Sequence, residues 1–274
     1  MKYTFRLMQL VVSLVLPVLF LSGMYRYAVG QQAPPEPEVV VLPGGNCPTG
    51  QSPKVGEGLD APWPQYLYTG MYGWFDRSHF QTGEPAQVIS DVQAAITAGG
   101  GVITISQGVR DNLTGYTARY WIAGSVAEPD ALRVALGVYL DWSRRFESWQ
   151  GEPPRSIAGP LTSFAIEDLP SQYVGFFAAA RGLSYAQVFG CYLGGMETAV
   201  ADPPHFDFAA NSAESHDLLK MTRLRNDTFT PLVQTEEGWQ HRPWPEGMQL
   251  TAVGSKPGTW YFLGETTWYF EETS

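Results

Sequence analysis

The segment Tyr72-Gly73-Trp74-Phe75-Asp76-Arg77-Ser78-His79-Phe80 constrains this chain more than any other. It sets an acid, a guanidinium, a hydroxyl and an imidazole among large aromatics. Aromatic rings favour burial, whereas charged groups resist it unless each finds a partner. A fold that holds this stretch therefore either ties the polar groups into a paired network or builds a site around them. Asp76 and His79 have the most chemical reach. An acid three residues from a histidine orients the imidazole and raises its basicity, which general-base catalysis and metal binding both use. The same spacing also serves a purely structural Asp–His or Asp–Arg pair. Trp74 and Arg77 are candidate binding residues beside it.

A second cluster is Ser163-Phe164-Ala165-Ile166-Glu167-Asp168-Leu169-Pro170-Ser171, with adjacent carboxylates at a predicted helix start. Asp168 suits an N-cap, and either acid is favoured there by the helix dipole. Capping explains Glu167 less well. Glu167 therefore joins Asp76 and His79 as a candidate catalytic residue, and joins His79 as a candidate ligand for a divalent metal. In Arg144-Arg145-Phe146-Glu147 the spacing of Arg144 and Glu147 predicts a surface ion pair. Glu147 is a candidate binding residue if it turns inward to a partner. Thr104-Ile105-Ser106-Gln107-Gly108 half matches the nucleophile elbow, with Thr104 in place of the first glycine. The following Asp111–Gly115 reads as a turn and not as the helix an elbow needs, so Ser106 is a candidate binding residue and a polar strand end. The chain has four histidines but neither H-E-x-x-H nor C-x-x-C. Gly99-Gly100-Gly101 follows a helix and precedes a strand, the reverse of a phosphate-binding loop. No cofactor is expected apart from the possible divalent metal.

Three segments, in order, resemble a bacterial family with no assigned activity, domain-of-unknown-function family 4056. They are Gly73–His79, Phe146–Gly151, and Ser163–Leu169 extended to Gly175. That family has a Phe-x-Asp-x-x-His-like stretch, a helix ending in an aromatic and glycine, and a Ser-Phe-x-x-Glu-Asp stretch. The resemblance spans roughly Gly73 to Arg181 and implies that Asp76, His79 and Glu167 come together in space. It implies no substrate. The family's helix carries a His-Glu pair where this chain has Arg144 and Arg145, and this departure tells against any shared metal or acid–base role of that helix.

The N-terminus reads as an export leader: Lys2 and Arg6, then an apolar run from Leu7 to Leu21, then Ala28-Val29-Gly30. The run is about 15 residues, shorter than the roughly 20 that span a bilayer. Residues 1–30 are expected to be a signal peptide, 31–38 a Pro-rich tether, and 39–274 a single globular domain outside the cytoplasm. Membrane attachment would follow only if the leader stayed uncleaved. In an exported chain the two cysteines, Cys47 and Cys191, are expected to form a structural disulfide. A net charge of −10 without any basic run argues against nucleic acid. Asn112-Leu113-Thr114 and Asn226-Asp227-Thr228 match the glycosylation triplet.

Helices are predicted over Glu84–Ala98, capped by Thr82, over Pro129–Trp149, over Leu169–Arg181 and from Ser184 to Gly194, with a polar one over Ala213–Arg225. Val102–Ile105 reads as a buried strand and Tyr116–Ala123 as another. Met248–Phe270, with two aromatic triplets, looks like a β-hairpin. The expected fold class is α+β, with a helix-rich centre, a small sheet and a C-terminal aromatic hairpin. Two functions suit these features. One is an exported hydrolase acting on an extracytoplasmic polymer through His79, Asp76 and Glu167. The other is a non-catalytic exported domain that binds a cell-surface glycan or protein through exposed aromatics.

Overall fold

The computed structural model describes residues 66–109, 114–152, 163–195 and 225–269. The chain divides into two units, Met1–Glu38 and Val39–Ser274, and all described residues belong to the second. The leader, the tether, Cys47, Asn112 and most of the predicted helix Ala213–Arg225 lie outside the described residues. Among the described residues, no helix is long and apolar enough to cross a membrane.

The fold class is α+β. Strands β1 (Tyr66–Thr69) and β2 (Gly73–Asp76) form an antiparallel hairpin that runs into a short 3-10 helix, Arg77–Gln81. Helix α1 (Pro85–Thr97) follows, with Pro85 in its first turn. Its N-cap is Glu84, in the left-handed region at φ 50°, and not Thr82, which closes the 3-10 helix instead. Strands β3 (Gly100–Val109) and β4 (Thr114–Ala123) then pair antiparallel. Next come α2 (Ala131–Gln150), α3 (Asp168–Arg181) and the short α4 (Tyr185–Cys191). The C-terminal part contributes the hairpin β5 (Leu232–Thr235) and β6 (Gly238–His241), and finally β7 (Trp260–Tyr269). The first aromatic triplet and Trp268-Tyr269 of the second fall along this one strand. β7 pairs with β4, giving a sheet of order β3-β4-β7 with a register shift between Arg119 and Tyr120.

Among the described residues the sheet is covered on one face, which explains its side-chain pattern. Ile103, Ile105, Tyr116, Ala118, Tyr120 and Ile122 point inward and are buried, while Val102 and Tyr261 stand 52% and 48% exposed on the other side. The expectation that Val102–Ile105 is buried throughout is therefore half right: the strand alternates. α2 supplies the matching surface. Val134, Val138, Tyr139, Trp142, Phe146 and Trp149 are all buried, and Trp142 and Phe146 stack at 5.1 Å. Burial at this density carries most of the favourable energy of folding, at about 25 cal/mol per Å2 of apolar area.

Helix α3 is buried on nearly every side from Asp168 to Ala178. Its approach to the 3-10 helix needs Gly175, where an added Cβ would lie 1.9 Å from the Phe80 carbonyl oxygen. The contact is reinforced by Ser171, whose hydroxyl accepts from the Asp76 backbone N–H at 2.8 Å and donates to the Glu167 carbonyl at 2.5 Å. Glycine and serine on one face of α3 thus bring the start of that helix against the end of β2. Gly175→Ala should separate the two and cost about 1–3 kcal/mol, the usual penalty of overpacking. Urea unfolding checks this, and a loss below about 0.5 kcal/mol would show that the neighbouring backbone yields without strain.

Candidate functional site

β2 ends at Asp76, whose carboxylate caps the 3-10 helix. Its Oδ1 accepts from the backbone N–H and the hydroxyl of Ser78, both at 2.8 Å. Its Oδ2 lies 3.0 Å from His79 Nδ1. The Asp-x-x-His spacing works because one helical turn brings the imidazole back over the capping acid. The far ring nitrogen, Nε2, lies 3.4 Å from Asp168 Oδ1 at the start of α3. His79 is thus gripped by a local acid and a distant one, with its side chain 16% exposed.

Two further acids complete the cluster. Glu147, in the last turn of α2, is fully buried. Its Oε1 accepts from Gln172 Nε2 at 2.8 Å and its Oε2 from the Phe164 N–H at 3.1 Å. Phe164 holds φ 58°, an unusual conformation for a bulky residue. Asn226 N–H bonds the Phe164 carbonyl from the other side, and the Asn226 side-chain amide bonds the Ile166 carbonyl. Asp168 Oδ2 accepts from the Ala165 N–H at 2.8 Å, so the acid caps the preceding turn and does not act as the helix N-cap. Glu167 occupies the N-cap position without a capping side-chain bond. It is buried, and its Oε2 has no hydrogen-bond partner. Such an atom is uncommon in a folded protein.

Four carboxylates and one imidazole in so little water cannot all take their ordinary charges. Burial opposes charge on His79, but Asp168 and Asp76, with Glu147 behind them, hold its pKa well above 6.5. Burial would raise Asp76, but His79 and the two Ser78 bonds override it and keep the acid below its usual range. Burial pushes Glu147 up against the pull of His79 and its three hydrogen-bond donors. It raises Asp168 well above its usual value, with repulsion from Glu147 adding to the effect. Burial, then repulsion from Asp76, lifts Glu167 to about 7. His79, Glu147 and Asp168 each offer one donor atom within 4.8 Å of the others and could together hold a metal ion.

The structure brings together Asp76, His79, Glu147 and Glu167 of the residues singled out in the sequence. It adds Asp168 and the supporting Ser171 and Gln172. Glu147 does not form the predicted surface pair: Arg144 lies over the Phe229 ring at 5.0 Å, while the glutamate turns inward. Arg145 likewise stays outside, bonding Asp141 at 2.7 Å and lying 3.6 Å from the centre of the Phe262 ring. Trp74 is a buried core residue against Tyr68, and Arg77 is half-buried at the start of the 3-10 helix. Ser106 is elsewhere, on the outer sheet face with its hydroxyl 2.6 Å from that of Thr117. It borders a cavity of about 150 Å3 between α1 and β3 whose lining includes no histidine. The Asn226 triplet is no glycan acceptor surface, because Asn226 is buried and its amide is spent on the Ile166 and Thr230 carbonyls. Asp168 carried a sequence signal, its adjacency to Glu167, but helix capping explained it equally well.

The raised Glu167 carries a consequence for stability. Between its ordinary value of 4.5 and its folded value of about 7, the folded protein keeps a proton that the unfolded chain gives up. Stability from this group is therefore greatest below pH 4.5 and lost as pH rises to about 7. Glu167→Gln removes that proton. With a chelator present, the stability of Glu167→Gln minus that of the wild type should grow across this window and level off above it. A difference that stays flat with pH in chemical denaturation would remove the buried-acid account of Glu167.

No protein-family model, no curated protein and no solved structure matches this chain.

Proposed function

We propose that this chain is an exported hydrolase that cleaves a polymer outside the cytoplasm, with Glu167 activating water and His79 meeting the substrate. The observation that carries the reading is the Glu167 carboxylate, which is buried beside His79 with one oxygen unpartnered. A structural network satisfies its members, whereas a base that must accept a proton keeps a lone pair open. His79 fits the second role. Asp76 holds its Nδ1 side, and the ring forms the part of the pair that reaches solvent. A cationic or otherwise electron-poor edge there stabilises the negative charge that builds on a substrate oxygen as water adds. Export rests on the leader sequence at residues 1–30, and paired acid and base groups of this kind suit hydrolysis of the polymers met there.

The uncovered sheet face favours a second reading, a binding domain. Trp121 and Tyr261 stack at 6.4 Å there, with Val102 and Leu263 exposed nearby and the hydroxyls of Ser106 and Thr117 beside them. Such a mixture of flat rings and hydroxyls suits the alternating apolar and polar surfaces of a glycan.

One assay separates the two. Cell-wall polysaccharides, peptides and esters are offered to the wild type and to Glu167→Gln, with Tyr261→Ala run beside them. An enzyme loses about 10²–10⁴ in kcat through Glu167→Gln. A binding domain shows no turnover, and its retention on insoluble polysaccharide drops in Tyr261→Ala while Glu167→Gln binds as before. Turnover that survives Glu167→Gln intact sinks the catalytic reading.

A further inference from the structure

We infer that His79, Glu147 and Asp168 form a site for one divalent transition-metal cation, of the Zn2+, Mn2+ or Fe2+ class, with Asp76 as the residue that positions the histidine. The inference deepens the hydrolase reading and rests on it in one respect, that the acid cluster is an active centre and not a structural knot.

The donor geometry comes first. The three donor atoms lie within 4.8 Å of one another, and His79 Nε2 and Asp168 Oδ1 are already 3.4 Å apart. A tetrahedral cation with bonds of about 2.0–2.2 Å holds its donors roughly 3.3–3.6 Å apart. Closing the set needs a side-chain movement on the order of 1 Å, within the reach of a glutamate.

Each ligand is also held by a partner of its own. Asp76 takes the Nδ1 side of His79, which leaves Nε2 for a cation. Gln172 and the Phe164 N–H hold Glu147, and the Ala165 N–H holds Asp168. Carboxylate oxygens keep further lone pairs after one such bond. The three ligands come from the 3-10 helix, the end of α2 and the start of α3, so only the folded chain assembles them.

The independent observation is Glu167. Its Oε2 is buried and lacks any hydrogen-bond partner. A cation with three protein ligands keeps a position open for water, and a neighbouring carboxylate with a free lone pair is the group that would bond that water. One nitrogen and two carboxylate oxygens select the intermediate metals. Mg2+ and Ca2+ favour all-oxygen shells, and Cu+ favours sulfur.

The test needs no knowledge of the substrate. The full purified chain is stripped with chelator, dialysed, and titrated with Zn2+, Mn2+ and Mg2+ by calorimetry, with metal content checked by mass spectrometry. One equivalent of Zn2+ or Mn2+ should bind and raise the melting temperature. His79→Gln and Asp168→Asn should abolish binding. Asp76→Asn should weaken it about 10–100-fold, the usual effect of losing a partner that orients a ligand. Asp91→Asn, on α1 beside the cavity against β3 and outside the acid cluster, should change nothing. Should the cluster variants misfold, Co2+ added to the wild type reads the site directly, through visible bands of a low-coordinate ion and a shifted proton signal from one imidazole. Absence of any equivalent bound by the wild type, or a Co2+ spectrum showing only hydrated ion, overturns the inference. If binding fails while Glu167→Gln still abolishes turnover, the metal falls and the active centre stands without it. If one equivalent binds and no turnover is found, the metal site stands and the hydrolase reading falls.

Discussion

His79 held between Asp76 and Asp168 is the contact on which the rest of this structure depends. It ties the end of the first hairpin to the start of α3, two parts of the chain that no continuous element connects. Both acids are buried, and a buried carboxylate without a cation or a proton is costly. The imidazole answers that cost from the centre of the cluster. Ser171 and Gly175 are then readable as devices that let α3 come close enough for the histidine to reach its distant partner. Phe164 in its left-handed conformation, clamped by Glu147 and Asn226, positions the turn that presents Glu167 and Asp168.

The cluster is not assembled in the way that would serve stability best. Apolar residues of the same volume would fill the space without strained backbone or crowded carboxylates. The chain instead keeps a left-handed phenylalanine, an unpartnered glutamate oxygen and acids that repel one another. A strained residue, an unsatisfied acid oxygen and mutually repelling carboxylates in one cluster fit a site whose chemistry works against local stability, although buried unpartnered atoms also occur at Trp142, Ser143 and Gln150 of α2 and a second left-handed residue at Glu84. The surrounding aromatic core, with Trp142, Phe146 and Tyr116 packed beneath the sheet, supplies the reserve that tolerates it.

How much of this was legible in the sequence varied with the range of the interaction. Asp76 and His79 were readable because their contact is made within one turn, so spacing alone sets it. Glu167 was readable as the acid that capping did not explain. Glu147 looked like half of a surface ion pair because helical spacing shows which residues are neighbours along a helix but not which way the helix faces. Asp168 looked like a cap, since a capping acid and a site acid have the same local signature. The long second helix was placed almost to the residue, whereas the two aromatic triplets near the C-terminus read as a hairpin. Turn residues between them suggested a reversal, but Gly264 is extended at positive φ and the chain runs on as one strand along β4.

The sequence by itself determined the secondary structure class, the apolar stripe of α2 and the local pairing of an acid with an imidazole, because each follows from periods of two or about 3.6 residues and from short-range hydrogen bonds. Only the tertiary structure decided that Glu147 turns inward, that Asp168 meets the far nitrogen of His79, that Trp74 is packed into the core, and that Ser106 lies on the outer sheet face. Those outcomes depend on which faces of separate elements are pressed together. That choice is made by packing summed over the whole core, and no window of neighbouring residues contains it.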